Sequence, residues 1–269
     1  MEKYKAGFVG SGNMGFALAT AAAYAVGGDE VILSASCAEN AEKRAKKLSC
    51  HAGTACEAAE QAKFVFLAVK PNKLSEVAEE ILPGLGKNGD AVIVSMLAGV
   101  SLKTLEDSLG AGKKLIRIMP NTPVSVGSGL TLMCTSDGVT EAEKAQFLAL
   151  MAKSGVVEEL PEGLMDAASA LSGCGPAFVY RFAEALSSGA LFCGLPKKKA
   201  DYYALLTLKG ACEYALSSDK HLAELTDEVC SPGGSTIAGV KAMEEGGFSS
   251  AAMNAVIKAC EKTKELGRK

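Results

Sequence analysis

The amino-acid sequence predicts an α/β protein in two parts, a doubly wound parallel sheet over residues 1–160 and an all-helical segment over 161–269. Three observations carry this reading. Short apolar runs alternate with helical patterns through the first part, a glycine-rich turn follows the first of those runs, and strand signals stop after Pro161. Apolar runs buried on both faces and separated by crossover helices mark a parallel sheet covered on both sides.

Taken in order, Ala6–Val9, Val31–Leu33, Phe64–Val69, Ala91–Val94 and Leu115–Ile118 read as buried strands. Helical patterns fall between them at 13–27, 39–48, 72–82 and 101–108. Gly129–Cys134 and Val156–Leu160 read as late strands at the sheet edge, with a helix over 140–153 between them. Beyond Pro161 the pattern is helical throughout, at 162–171, 177–192, 197–217, 235–245 and 248–266. The apolar residues of 200–217 occupy more than one narrow stripe, as expected of a helix buried in a core or against another subunit.

Composition excludes several classes. With 48 % hydrophobic and 22 % charged residues the chain matches an ordinary globular protein, not a disordered one. Its 28 basic and 31 acidic residues leave a net charge of −3, so no nucleic-acid partner is expected. Twenty-nine glycines without a triplet period exclude collagen. No run approaches the roughly 20 continuous apolar residues that span a bilayer. The start, Met1 to Lys5, lacks the pattern of a signal peptide, so a cytoplasmic protein without a membrane partner is expected. Nine cysteines are scattered without a CxxC pair and read as inert thiols in a reducing compartment. Cys50, His51 and Cys56 lack a fourth ligand, and no metal site is expected.

The chemistry starts at Gly10-Ser11-Gly12-Asn13-Met14-Gly15, which follows the first strand and opens a helix. In that position GxGxxG is a dinucleotide-binding, Rossmann-like turn. Gly10 permits the tight turn, Gly12 lets a pyrophosphate approach the backbone, and Gly15 lets helix and strand pack closely. The helix N-terminus then offers N–H groups and partial positive charge to the phosphates. An NAD-selective site places an acid at the end of the second strand, about 20 residues on. Here that place holds Ser34, Ala35 and Ser36, with Lys43, Arg44, Lys46 and Lys47 following. The missing carboxylate favours NADP(H), with NAD(H) as the second choice. Ala68-Val69-Lys70-Pro71 and Met96-Leu97-Ala98 end two further strands at the edge where ligands of such sheets bind.

In the helical part, Ser231-Pro232-Gly233-Gly234-Ser235-Thr236 interrupts two helices and opens a third. Its N–H groups suit a carboxylate, although a serine or threonine there is also compatible with an ordinary N-cap.

With Phe8–Gly15, Ala68–Pro71, Arg117–Pro123, Leu171–Phe178 and Asp227–Thr236 in this order, the chain resembles the pyrroline-5-carboxylate reductases over essentially its whole length. The resemblance implies reduction of the cyclic imine 1-pyrroline-5-carboxylate to L-proline, the last step of proline biosynthesis. It implies that Ser231, Gly233, Gly234, Ser235 and Thr236 hold the substrate, with the Thr236 hydroxyl facing the ring nitrogen as the catalytic group. Glu162 and Glu228 match substrate-contacting positions, Glu228 standing where relatives carry a polar residue. Relatives often carry Asn near position 55, where this chain has Thr54-Ala55. The resemblance also implies a homodimer or a higher homo-oligomer, such as a decamer of dimers, with substrate sites shared between subunits. Two other readings remain at this stage. A β-hydroxyacid dehydrogenase-like oxidoreductase needs a lysine that Gly173–Arg181 lacks, and a catalytically silent NADP-binding regulatory module has no need of the Ser231–Thr236 loop.

Overall fold

The computed structural model describes residues 3–266. The chain separates into two compact units, one running to Gly173 and resumed from Ala259, the other spanning Cys174–Lys258. The first unit is built on an eight-stranded sheet ordered β3-β2-β1-β4-β5-β6-β7-β8. Its strands are β1 (Tyr4–Val9), β2 (Val31–Ser34), β3 (His51–Ala52), β4 (Ala62–Leu67), β5 (Val92–Ser95), β6 (Lys114–Pro120), β7 (Gly129–Thr135) and β8 (Gly155–Glu159).

Every pairing is parallel except β6 with β7. That exception follows from the connection. Only a 3-10 turn, Thr122–Val126, lies between β6 and β7, and a link without a crossover helix forces the chain to reverse. Helix α6 (Glu141–Met151) then crosses over and restores the parallel direction in β8.

Helices cover both faces. On one side α1 (Asn13–Val26), α2 (Ala38–Leu48) and α6 bring Leu18, Ala22, Ala45 and Phe147 against Phe8 and Phe66. The rings of Phe8 and Phe66 stack with centroids 4.3 Å apart across adjacent strands. On the other side α3 (Ala55–Gln61), α4 (Leu74–Lys87) and α5 (Leu102–Leu109) pack Ala58, Ile81 and Leu105 onto Val65 and Ile93. Helix α4 runs through Pro83 instead of stopping before it, as the predicted end at 82 required. At the next residue, Gly84, a Cβ would come within 2.3 Å of the Cys56 carbonyl, so the missing side chain is what lets α4 lie on α3.

Helix α7 (Met165–Ser172) lies past residue 160 yet packs its buried Met165 on Leu132 and Cys134 of β7. The second unit contains α8 (Gly175–Phe192), α9 (Lys197–Leu216), α10 (Leu222–Glu228), α11 (Ser235–Glu245) and the first part of α12 (Phe248–Leu266). Helices α8 and α9 pair through small side chains, Ala183 and Ser187 with Ala200 and Ala204. Asp201 clamps the pair, accepting from Ser187 Oγ at 2.6 Å and from Lys197 Nζ at 2.7 Å. Among the described residues no helix is long and apolar enough to cross a membrane.

At the N-terminal edge of the sheet, Lys63 of β4 and Lys114 of β6 converge on Glu143 of α6 at 2.8 and 2.7 Å, and both also pair with Asp90. Burial pushes the Glu143 carboxyl up, but the two ammonium groups and the Thr140 N–H and hydroxyl outweigh it and bring the pKa from 4.5 to about 2. A carboxyl lowered on folding stabilises fully above its unfolded value and loses that contribution as pH falls through its folded value. Glu143→Gln keeps an acceptor for the Thr140 capping box but removes the more buried of the two anions that Lys63 and Lys114 share. It is expected to cost about 2–3 kcal/mol at pH 7, and the difference from the parent protein should shrink between pH 4.5 and 2. Chemical denaturation across that range checks both statements.

Candidate functional site

The turn between β1 and α1 assigns each glycine a separate task. Gly10 has φ +93°, and a Cβ there would sit 2.6 Å from the Ala68 carbonyl. A Cβ on Gly15 would meet the Ala68 Cβ and the Gly10 carbonyl, each at 2.7 Å. Gly12 differs, because nothing lies within 4 Å of the place its Cβ would take. Gly12 is also the N-cap of α1, and no side chain caps that end among the described residues. The first-turn N–H groups therefore face an open cradle, which suits the pyrophosphate of a dinucleotide. Ser11 is buried, Asn13 is exposed, and Met14 packs partly into the core.

Along the C-terminal strand edge, β4 ends at Leu67, two residues before the predicted end. Ala68 and Val69 thus lie in the loop, half-buried, with Ala68 wedged against Gly10 and Gly15. Lys70 is exposed and precedes a 3-10 turn that opens with Pro71. After β5, Met96 is half-buried and Ala98 exposed, but Leu97 is fully buried in the core. Leu97 can therefore meet a ligand only through its backbone. Ser34 is the buried last residue of β2 and Ser36 is exposed. Thr54 is taken up by a capping box with Glu57 at the start of α3, and Ala55 is buried.

In the second unit, Gly234 closes a turn by donating its N–H to the Ser231 carbonyl at 2.9 Å. Gly233 takes φ +69°, and a Cβ on Gly234 would lie 2.3 Å from Ser231 Oγ. The N-cap of α11 is Gly234, again without a side-chain cap among the described residues, so Ser235 and Thr236 are its first two residues. The N-cap reading of Ser235 or Thr236 is thereby removed. Both are exposed above an open helix end, capped by a glycine as α1 is. Glu228 closes α10 and forms an ion pair with Lys220, which raises the lysine's pKa through that hydrogen bond and charge.

Glu162 lies in a different setting. Its Oε1 accepts from Arg117 Nη1 at 2.9 Å and from the Leu102 N–H at 2.7 Å. Arg117, only 5 % exposed in the middle of β6, also reaches Asp166 at 3.5 Å. Glu162 therefore ties a buried guanidinium to the first turn of α5. The role of Arg117 escaped the sequence reading, although an arginine inside the apolar run Leu115–Ile118 is itself a sign that acids must meet it. The histidines are engaged elsewhere, since His51 meets the Tyr4 ring at a 47° tilt and His221 Nδ1 accepts the Ala223 N–H. No cluster of three metal-ligating side chains occurs among the described residues.

Comparison with known proteins agrees with this arrangement. Residues 162–266 match the family described as pyrroline-5-carboxylate reductase dimerisation, and 5–99 match NADP oxidoreductase, coenzyme F420-dependent. Pyrroline-5-carboxylate reductase 3 of Danio rerio is 41 % identical over 267 residues, 98 % of this chain and 92 % of the relative. The pyrroline-5-carboxylate reductase of Escherichia coli is 35 % identical over the full length of both chains. Among solved structures, a Plasmodium falciparum pyrroline carboxylate reductase with NADP bound superposes with a TM-score of 0.87 at 33 % identity, covering 99 % of both chains. That of Coxiella burnetii gives 0.90 at 28 % identity, covering 98 % of this chain and 99 % of the other.

The glycine geometry separates binding from folding. Gly12→Ala is expected to stay folded, losing no more than the ~1 kcal/mol that a poorer N-cap costs, while weakening dinucleotide binding at least tenfold (about 1.4 kcal/mol). Gly15→Ala should lower Tm sharply, because its methyl group has no room. Thermal melting and NADPH titration of both variants check the contrast.

Proposed function

The chain belongs to the pyrroline-5-carboxylate reductase family, and on that premise we propose that it reduces 1-pyrroline-5-carboxylate to L-proline, the last step of proline biosynthesis, with NADP(H) favoured over NAD(H). The observation that carries the reading is the glycine-capped start of α11. It is a receptor for a small carboxylate, built apart from the dinucleotide turn.

The dinucleotide would be held by Gly10, Ser11, Gly12, Asn13, Met14 and Gly15, with Ala68, Val69, Lys70, Pro71, Met96 and Ala98 along the strand edge. When bound in reduced form it supplies the hydride. The chain's own part is to orient a small ring and exclude water. The N–H groups of Ser235 and Thr236 take the substrate carboxylate, aided by the turn at Ser231, Gly233 and Gly234. The Thr236 hydroxyl meets the ring nitrogen, which must carry a proton for its carbon to accept hydride. A hydroxyl of ordinary acidity orients or relays that proton and does not generate it. Glu228, an anion close in sequence to this receptor, has its charge offset by Lys220.

The protein is proposed to work in the cytoplasm as a homo-oligomer. Its nine cysteines are free, as a reducing compartment requires. In the second unit the buried residues are small, while Tyr180, Leu186, Phe192, Tyr203 and Leu206 stand exposed. A helical unit that leaves so much apolar surface in water needs a second copy to cover it.

The deciding assay is NADPH oxidation with pyrroline-5-carboxylate, for which turnover is expected. A folded sample that binds NADPH without turnover would point to the regulatory module instead. In the same assay Thr236→Val should lower kcat/KM at least tenfold, about 1.4 kcal/mol. Tm and NADPH affinity should stay unchanged, since Thr236 caps nothing. A fully active variant removes Thr236 from the site. Sedimentation at assay concentration should show at least a dimer, and an active monomer would overturn the assembly reading.

A further inference from the structure

A buried arginine brackets the segment that follows β5. Arg117 of β6 pairs in register with Ser95, the last residue of β5. Its Nη1 donates to Glu162 Oε1 at 2.9 Å, and the same oxygen accepts the Leu102 N–H at 2.7 Å. Leu102 is the first residue of α5, so its N–H has no acceptor within the helix. The N-cap, Ser101, serves the Thr104 N–H and leaves that of Leu102 to the carboxylate. Residues 96–101 are thus fastened at both ends to one arginine, through the strand ladder at the first and through Glu162 at the second.

Between these fixings Leu97 and Val100 are buried, Gly99 takes φ +74°, and the Met96 N–H reaches the Leu67 carbonyl at 3.3 Å. Met96 is left half-buried and Ala98 exposed. The sheet order puts them on the far side of β1 from β2. A dinucleotide with its pyrophosphate at the start of α1 sends its adenosine ribose toward the end of β2, so its nicotinamide half runs over β4 and β5. Glu162 itself is poorly placed to receive an anionic substrate. Its open side borders a cavity of about 300 Å3 whose lining includes Cys134, Thr135, Leu160 and a second acid, Glu159, but no cation. Stability alone does not explain the pair either. The Arg117 Nε is buried without a hydrogen-bond partner among the described residues, and a buried ion pair with an unmet donor adds little over apolar side chains of similar size.

We propose that Arg117 and Glu162 are positioning residues for the hydride transfer, which fix Met96 and Ala98 against the nicotinamide half of the dinucleotide, and that Glu162 does not touch the substrate. The inference rests on the reductase reading above and replaces the substrate contact that the resemblance implies for Glu162. A misplacement of about 1 Å between reacting groups can slow a reaction about a hundredfold. A charge-assisted hydrogen bond to a strand-anchored carboxylate keeps the loop end at its distance.

The test compares the parent protein with Glu162→Ala, Glu162→Gln and the double variant Arg117→Met/Glu162→Ala. Each is measured for Tm, for binding of NADPH and of adenosine 2′,5′-bisphosphate, and for kcat and KM with pyrroline-5-carboxylate. The bisphosphate lacks the nicotinamide half, so it reports the part of the site that residues 96–101 do not reach. Glu162→Ala is expected to lower kcat about ten- to a hundredfold and to weaken NADPH about fivefold or more, with bisphosphate affinity and KM for the imine nearly unchanged. Glu162→Gln should recover part of the loss, because its amide oxygen still accepts the Leu102 N–H. The double variant removes the buried charge together with its partner. It should regain the Tm that Glu162→Ala loses without regaining kcat or NADPH affinity, which a purely stabilising pair would restore. A raised KM for the imine, with kcat and NADPH binding intact, would make Glu162 a substrate contact and overturn the proposal. Equal weakening of NADPH and the bisphosphate would overturn it too, as would a double variant as active as the parent. A parent protein that does not turn over the imine removes the reductase premise and the proposal with it, a failure visible before any variant is made.

Discussion

The first unit depends on how closely three backbone segments approach one another. Gly10, Gly15 and Ala68 bring the end of β1, the start of α1 and the end of β4 within contact distance, with Ala68 and the Val69 side chain filling the room that a Cβ on either glycine would need. This closeness aims α1 at the strand edge and leaves Gly12 facing open space. The order of the sheet follows from the same centre, since β1 pairs on one side with β2 and on the other with β4. The crevice of a doubly wound sheet opens where that order reverses. The second unit repeats the principle on a smaller scale. There a turn at Ser231–Gly234 again leaves a helix start without a side-chain cap.

Much of this was legible in the residues, and the limits have physical causes. The buried strands β1, β2, β4, β5 and β6 stood out because both faces are covered and apolar runs show no alternation. Helix α3 was not seen, since Ala55–Gln61 carries three alanines and no large apolar residue. Its boundaries come from the Thr54–Glu57 capping box and the strand that follows. Strand β3 is two residues long and α10 is seven, too short for any period to show. The reversal between β6 and β7 depends on the length of a connection that a list of strands does not record. Among the site residues, Gly10 and Gly15 are readable because a close backbone approach requires each of them, and Gly12 because a ligand must reach the backbone there. For Leu97 the sequence does not say whether the side chain turns toward the strand edge or into the core, and the structure puts it in the core.

Charge is distributed in a way that keeps folding and binding apart. At the N-terminal strand edge the cations and anions are matched, as Lys63 and Lys114 meet Asp90 and Glu143. Inside the sheet Arg117 is matched by Glu162 and Asp166. Such pairs hold strands and helices in register, and removing one member leaves an uncompensated charge. Beside the dinucleotide turn the cations stay unmatched.

The sheet's two outer strands also bear on how copies of this chain meet. An edge strand exposes a row of unpaired N–H and C=O groups, a template on which other chains can zip and precipitate. On one border β3 offers only His51 and Ala52, too short a ledge for another strand to grip. On the other, β8 ends in the exposed acids Glu158 and Glu159. Glu159 is paired there with Lys144 at 2.8 Å, and Glu158 beside it is charged and exposed on the border. A two-residue ledge on one border and an exposed acid on the other give another strand little to pair with.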